Sequence, residues 1–305
     1  TKLIDRFIYP LPRVSAWKPD CILINQGGTF EAALSWPVRK FLESTNCPYA
    51  LLCQHNADDR VLAEPERQMA IACFQKAKAV FFVSDHNRAC TTRQLAIELP
   101  QSHIIQNPIN MQSELEVPWP TGESMRLACV SRLDARIKGQ ETLLEALSSK
   151  EWKSRDWQLR FYGDGPHRKY LGDLCSHFSL SNRVSFCGHL SDIRSIWADN
   201  HILVLPTRSE GTPISLLEAM TCGRPSVVTD VGGNTEWVSE PTNGFVAAAP
   251  TLRSLRGTLE RAWDARLDWP EIGRRARDRA ISKRDPDPAG TLFKLLKKIV
   301  EPNER

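Results

Sequence analysis

Short apolar runs alternate along most of the chain with amphipathic helical segments. They form two series, separated by the proline-rich stretch Pro118-Trp119-Pro120-Thr121-Gly122. This rhythm is typical of parallel α/β layers, because each parallel strand needs a crossover helix to return the chain. It predicts two domains, each with a parallel sheet. The predicted strands are Cys21–Asn25, Tyr49–Gln54, Val80–Ser84 and His103–Gln106 in the first series, then Arg126–Val130, Gln158–Gly163, Val184–Gly188, Ile202–Pro206 and Ser226–Thr229.

The length of 305 residues agrees with two domains. We predict a first domain over residues 1–117, a second over 118–288, and a final helix over 289–305. That helix is a candidate for packing back on the first domain. Hydrophobic residues make up 41% and charged residues 25%, as in ordinary globular proteins. No apolar run approaches the roughly 20 residues of a membrane-spanning helix, so we expect none.

Charge and cysteine spacing indicate the surroundings of the protein. The formal charge of +4 tolerates an anionic ligand and does not require nucleic acid, so we expect no nucleic-acid partner. The nine cysteines contain no C-x-x-C spacing, which predicts free thiols and a reducing, cytoplasmic location. The last fifth of the chain is rich in arginine. This pattern indicates solvated helix faces, and peripheral contact with the inner face of a membrane stays an alternative.

The most informative motif spans residues 202–220. An apolar strand leads into a polar loop with Glu210 at its tip, and a helix follows. Thr212 is the predicted N-cap and Pro213 the predicted first helical residue. The free amides of that first turn would form an anion site at the end of a parallel strand. Glu218 lies less than two turns further, so both carboxylates can face one ligand. The alternative is a capped helix with two incidental glutamates.

The segment from Glu210 to Glu218 resembles the E-x7-E motif of the retaining glycosyltransferases of family 4 (group 1 glycosyltransferases). Four further stretches resemble other motifs of this family, in the family's order: Val130–Gly139, Phe161–Pro166, Phe186–Leu190 and Cys222–Trp237. The resemblance implies the GT-B fold, an α/β architecture of two Rossmann-like domains whose parallel sheets face a cleft. Nothing in Thr1–Asp20 resembles the family's amino-terminal glycine-rich loop, which predicts a reduced, incomplete first domain.

The resemblance also implies roles for individual residues. Arg132 and Lys138 would grip the diphosphate of a nucleotide-sugar donor, and Glu218 would hold its ribose. Fixed cations suit a leaving group whose negative charge grows during the reaction. The remaining implied donor-binding residues are Gly163, Leu190, Glu210, Gly211, Thr212, Pro213 and Ile214. His55 would approach the sugar from the first domain, so the implied catalytic residues are Glu210, His55, Arg132 and Lys138.

The implied activity is retaining transfer of a sugar from a nucleotide-diphosphate donor to a glycan, lipid or small-molecule acceptor. We expect no cofactor and no metal, since Asp285-Pro-Asp287 lacks the apolar strand that precedes a metal-binding D-x-D motif. A nucleotide-sugar-binding module or inactive scaffold is the alternative function. A glycoside hydrolase also uses paired carboxylates, but it would not explain the diphosphate grip. The Gln26–Thr29 loop is either a ligand loop or an ordinary turn.

Overall fold

The structure is a computed structural model that describes residues 17–109, 111, 116–122 and 124–300. Within these residues, ten β-strands and fourteen α-helices form two compact units. The first unit contains the described residues up to Pro108 together with those from Asp285 onward, and the second spans Ile109–Arg284. No helix in the described part of the chain combines the length and the apolar character that crossing a membrane requires.

The first unit is built on a parallel sheet. Its described strands are hydrogen-bonded in chain order: β1 (Ile22–Gly28), β2 (Tyr49–His55), β3 (Ala79–Phe82) and β4 (Ser102–Ile104). The helices between them are α1 (Glu31–Leu34), α2 (Trp36–Ser44), α3 (Glu64–Lys76) and α4 (Asp85–Leu95). The first five residues of β2 and all four of β3 are buried, as expected for central strands covered on both faces.

The second unit contains a larger parallel sheet, in the order β10-β9-β8-β5-β6-β7. Its strands are β5 (Met125–Val130), β6 (Trp157–Tyr162), β7 (Val184–Gly188), β8 (Ile202–Leu205), β9 (Ser226–Thr229) and β10 (Phe245–Ala247). Its helices are α5 (Ala135–Lys138), α6 (Gln140–Leu147), α7 (Lys150–Ser154), α8 (Arg168–His177), α9 (Ile193–Ala198), α10 (Ile214–Thr221), α11 (Asn234–Trp237), α12 (Leu252–Asp264) and α13 (Trp269–Lys283). Two apolar clusters hold these elements together.

The strand order of the second unit creates a crevice. From β5 the chain proceeds to β6 and β7 on one side, and then returns to β8 on the other side of β5. The loops that follow β5 and β8 therefore lead away from each other. In open parallel sheets, ligands bind at such a switch point, outside the carboxyl ends of the strands.

The last helix, α14 (Pro288–Val300), completes the first unit. Leu292, Leu295, Leu296 and Ile299 lie one or two turns apart on one stripe of this helix. They pack against an apolar cluster on β2, β3 and Ile105. The backbone amide of Asp285 also donates to Gln106 Oε1 at 2.6 Å, which fastens the returning chain to the first unit.

The boundaries of the units differ from the predicted ones. The second unit begins at residue 109 rather than 118, because Ile109, Met111 and Val117 pack with one of its apolar clusters. Arg224, only 2% exposed, donates hydrogen bonds to the carbonyls of Val117 and Pro118 and lies over the Trp119 ring. The unit ends at residue 284 rather than 288. The departure noted for Thr1–Asp20 falls mostly on residues 1–16, which lie outside the described residues.

Candidate functional site

A cavity of about 470 Å³ lies at the carboxyl ends of β5, β6 and β7. Four of the predicted donor-binding residues line it: Arg132, Gly163, Leu190 and Glu218. Each comes from a different connection of the second unit, following β5, β6, β7 and β8 respectively. Residues far apart in sequence therefore meet because parallel strands end at one edge of the sheet.

Arg132 lies directly after β5, and its side chain is exposed. Within the described ranges, its guanidinium forms no ion pair with an acidic side chain. It is therefore a cation available to a ligand at the cavity wall. A planar guanidinium can bind two phosphate oxygens at once through a pair of parallel hydrogen bonds.

Gly163 allows the loop after β5 to approach the end of β6. Its φ of +126° is a backbone conformation that residues with a Cβ rarely adopt. A Cβ at this position would also clash with the backbone oxygen of Ser131, the residue before Arg132. The amide of Gly163 in turn donates to the Gly188 carbonyl at 2.7 Å, which joins the end of β6 to that of β7. Glycine is therefore needed here for backbone packing around the cavity.

Glu218 projects from α10 into the same cavity and is half-buried. No hydrogen-bond partner for its carboxylate occurs among the described residues. Burial raises the pKa of Glu218 from 4.5 to about 7, because removing a carboxylate from water disfavours its charged form. A ligand that donated hydroxyl hydrogen bonds to Glu218 would stabilise the charged form and lower this pKa again.

Lys138 and Glu210 form an ion pair with each other. Lys138 Nζ lies 2.6 Å from Glu210 Oε1, and the side chains are 20% and 8% exposed. The pair lies near the end of β5. Burial raises the pKa of the Cys129 thiol in that strand to about 12, and both charges of the pair also act on that thiol. Neither residue lines the 470 Å³ cavity. The structure thus brings Lys138 and Glu210 together beside the switch point, but not into the wall shared by Arg132 and Glu218.

The start of α10 differs from the prediction. Thr212 is not its N-cap and Pro213 is not its first residue, because the helix begins at Ile214 with Pro213 at the capping position. The fixed φ of −65° at this proline is joined to an extended ψ of 125°, so the loop ends there. Gly211 is held from the other side, since its carbonyl accepts the Gly233 amide at 2.6 Å. The first-turn amides of α10 are therefore those of Ile214 and its successors.

His55 is the last residue of β2 in the first unit. Its carbonyl accepts hydrogen bonds from both the amide and the hydroxyl of Thr29, at 3.0 and 2.8 Å. Gly27 donates its amide to Glu31 Oε2 at 3.0 Å. These contacts tie the Gln26–Thr29 segment to its neighbours, and Gln26 Nε2 donates to the Thr29 carbonyl at 2.7 Å within it, as in an ordinary turn. The role assigned to His55 stays a prediction.

Sequence reasoning missed several residues of the cavity wall. The missed residues are Val130, Ser131, Tyr162, Asp164, His189, Ser191, Ile193 and Ile196. Most of them lie next to a predicted residue at the end of a strand. The carboxyl ends of the predicted strands could therefore have identified them. The wall combines polar atoms from the loops with apolar side chains from α9. Such a mixture suits a ligand with a charged part and a flat or apolar part.

No group of three or more His, Cys, Asp or Glu side chains that could hold a metal ion occurs in the described parts of the chain. Asp164 is an acidic residue of the cavity wall that was not predicted. The predicted acidic residues of the site are Glu210 and Glu218. They are separated in the structure, since one pairs with Lys138 and the other lines the cavity.

Comparison with known proteins agrees with this geometry. Residues 124–264 match the family described as "Glycosyl transferases group 1". The α-D-kanosaminyltransferase of Streptomyces kanamyceticus is 29% identical over 218 residues, which cover 68% of this chain and 55% of that protein. The chain thus spans about half the length of this relative.

Solved structures resemble most of this chain in fold. Sucrose-phosphate synthase from Thermosynechococcus elongatus superposes with a TM-score of 0.77 at 19% identity, covering 95% of this chain and 77% of that one. Anabaena HepE in complex with UDP-glucose superposes with a TM-score of 0.74 at 18% identity, covering 95% and 81%. At these identities the likeness shows the fold, and the fold is GT-B, the two-unit parallel α/β architecture of many glycosyltransferases.

The residues that match this family, 124–264, carry the E-x7-E segment and the cavity.

Proposed function

We propose that this protein transfers a sugar from a nucleotide-diphosphate donor to a glycan, lipid or small-molecule acceptor, with retention of configuration at the sugar. One observation carries the proposal. The switch-point crevice of a group 1 glycosyltransferase domain holds an exposed arginine and a glutamate with a raised pKa in one cavity wall, with a second cation–carboxylate pair alongside.

The arrangement fits the parts of a nucleotide sugar. In the proposed complex, Arg132 binds the diphosphate, and Lys138 shares its charge between the diphosphate and Glu210. Breaking the bond between sugar and phosphate places negative charge on the leaving diphosphate. Cations that are already in position stabilise this charge more than that of the intact donor, which accelerates the reaction.

The hydroxyl groups of the donor require acceptors. Glu218, which has no hydrogen-bond partner in the described chain, is the proposed acceptor for the ribose hydroxyls. Glu210 and the backbone from Gly211 to Ile214 are proposed to hold the sugar. The approach of His55 to the sugar is an expectation from the family resemblance alone. The departing phosphate takes the acceptor's proton, so that the acceptor attacks from the face that the phosphate leaves.

Donor binding is tested first with a thermal-shift panel of UDP-, GDP-, ADP- and TDP-sugars, because a ligand that binds the folded state raises its melting temperature. We expect one base to give a clearly larger shift than the others. Transfer is then tested with that donor, in the wild type and in Glu210→Gln and Arg132→Ala. Unchanged transfer in both variants would contradict the assignment.

A second candidate is a nucleotide-sugar-binding module without transferase activity. It is favoured by the confinement of the family match to residues 124–264 of the second unit. Saturable donor binding with neither transfer nor hydrolysis, across a panel of acceptors, would support this candidate over the first. Release of free sugar from the donor would count for the transferase, because it requires the same bond cleavage.

A further inference from the structure

The first turn of α6 contacts both loops that lead away from the switch point. This helix begins at Gln140, directly after the short helix that carries Lys138. Gln140 reaches the loop that follows β5, and Glu141 reaches the loop that follows β8. Two neighbouring residues of one helix thus connect the segment of Arg132 with the segment of Glu210.

Gln140 holds the backbone beside Arg132. Its side chain is fully buried, and its Nε2 donates to the Ser131 hydroxyl at 3.1 Å and to the Arg132 carbonyl at 2.8 Å. A buried side-chain amide with two such partners has little freedom to move. It therefore fixes the loop from which the Arg132 guanidinium enters the cavity wall.

Arg208 fastens the other loop. Its guanidinium forms an ion pair with Glu141, and also donates to the Ala135 carbonyl at 2.7 Å and to the Thr142 hydroxyl at 3.0 Å. Its backbone amide donates to the Ile137 carbonyl at 2.8 Å. Four contacts from one residue therefore tie the loop after β8 to α5 and to the start of α6.

These contacts of Arg208 also determine where Lys138 and Glu210 meet. Glu210 lies two residues after Arg208, and Lys138 lies one residue after Ile137, whose carbonyl Arg208 binds. Close packing adds to the connection, because a Cβ on Gly139 would clash with the Pro206 carbonyl at the end of β8. The 2.6 Å contact between Lys138 and Glu210 thus depends on how these two loops pack together. The polar contribution to that packing is the ion pair between Arg208 and Glu141.

We propose that Arg208 and Glu141 are positioning residues for the donor site: they set the spacing between the loops that carry Lys138 and Glu210 without touching the donor. This inference rests on the proposed function. It extends that function by assigning two residues outside the E-x7-E pair and outside the cavity wall.

The test separates positioning from ordinary stabilisation. Glu141 Oε2 is buried and has no hydrogen-bond partner in the described chain. Arg208→Gln therefore leaves a partly buried carboxylate without its counter-charge, which lowers the melting temperature. The double variant Arg208→Gln/Glu141→Gln removes that charge and recovers part of the loss. If the pair positions the site, nucleotide affinity will not recover with stability.

The measurement is calorimetric titration with UDP and with GDP, beside melting curves of the unliganded proteins. We expect affinity for the nucleotide that the wild type binds to fall about tenfold in both the single and the double variant, because small misplacements of binding groups are costly. Arg208→Lys keeps the charge and one hydrogen bond, so its affinity should lie between those of the wild type and Arg208→Gln.

The matched control is the ion pair Arg155–Glu260, which has a bidentate geometry and partial burial in the same unit and does not contact these loops. Glu260→Gln should lower the melting temperature and leave affinity unchanged. Affinity that follows stability across all variants, or that stays at the wild-type value in the double variant, overturns the positioning role alone. A wild type that binds neither nucleotide is titrated with ADP and TDP as well, and binding of none of the four overturns the proposed function, and this inference with it.

Discussion

In the first unit, the turn after β1 is filled by the protein's own side chains. Gln26 Nε2 donates to the Thr29 carbonyl at 2.7 Å, and Gln26 Oε1 accepts the Ala32 amide at 2.8 Å. In the second unit, the strand ends leave a cavity of about 470 Å³ whose wall contains Arg132 and Glu218. Both sheets are parallel, and in both units polar residues follow the strand ends.

The comparison shows that polar residues at strand ends do not by themselves leave a cavity. What distinguishes the second unit is polar groups whose hydrogen-bonding or charge capacity is not used within the described chain. In the first unit, the corresponding groups are turned inward, where they stabilise the turn. Four experiments test whether this difference has functional consequences.

The largest effect is expected from Arg132→Ala. Loss of two charge-assisted hydrogen bonds to a diphosphate should weaken UDP or GDP binding by about a hundredfold, measured by calorimetry. Because the side chain is exposed, the melting temperature should change by no more than about 2 °C. The control is Lys169→Ala, which removes a cation that is 88% exposed and whose ion-pair partner is Asp173. Equal affinities for the two variants would remove Arg132 from the site.

A pair of glycine substitutions tests the backbone part of the comparison. Gly163→Ala introduces a Cβ at a φ of +126° and against the Ser131 carbonyl, so we expect the free energy of unfolding to fall by at least about 2 kcal/mol. In the first unit, a Cβ on Gly27 would find its nearest neighbour at 3.6 Å, an ordinary contact. Gly27→Ala should therefore be close to neutral. Thermal melts of both variants measure the two effects. Similar losses of stability would show that the backbone at Gly163 is no more constrained than that at Gly27.

The raised pKa of Glu218 predicts pH dependence of two kinds. Below about pH 4.5 the group is protonated in the folded and unfolded states alike, so it contributes nothing. Between pH 4.5 and about 7 the unfolded chain ionises first, and the folded state is penalised increasingly as the pH rises. Glu218→Gln removes this penalty. The variant should therefore melt higher than the wild type at pH 8, with a smaller difference at pH 5.

Affinity should change in the opposite sense, because the ionised carboxylate is the better acceptor for ribose hydroxyls. Affinity for UDP-glucose or GDP-mannose, whose diphosphates do not titrate near neutrality, should fall as the pH is lowered from 8 to 6. The dependence should be weaker in Glu218→Gln. Parallel pH profiles for the wild type and the variant would place Glu218 outside the site.

The smallest effect is expected from chelation. Arg132 and Lys138 are proposed to supply the positive charge that a metal ion supplies in other sites, so EDTA should leave nucleotide affinity and transfer within about twofold. Titration with Mg²⁺ after chelation is the control. A clear loss with EDTA that Mg²⁺ restores would contradict metal independence.

Much of the fold could be predicted because strand and helix periodicity is a local signal. All nine predicted strands are present, with ends shifted by a few residues. The tenth, Phe245–Ala247, has only three residues and lies in a stretch of small side chains, so it gave no recognisable alternation. The start of the second unit was placed at residue 118 rather than 109, because Ile109, Met111 and Val117 pack with an apolar cluster of that unit. Nothing local to these residues reveals that cluster, whose other members lie further along the chain.

In the candidate site, too, local features could be predicted and contacts between residues far apart in sequence could not. Arg132, Gly163, Leu190 and Glu218 were predicted together by the family resemblance, and each follows a predicted strand or lies in the next helix. The pairing of Lys138 with Glu210, and that of Glu141 with Arg208, could not be predicted. Each joins side chains about seventy residues apart, and their meeting depends on the sheet order. The helix start at Thr212 was misread, because the Thr-Pro pair satisfies the usual capping pattern one residue too early.

The return of α14 to the first unit has a consequence for biosynthesis. The sheet face that α14 covers emerges from the ribosome early, whereas the covering helix follows after all of residues 109–284. At roughly 5–20 residues per second, this interval lasts about 10–35 seconds. During that time the apolar sheet face of the nascent chain is exposed to solvent, and we expect chaperones to bind there.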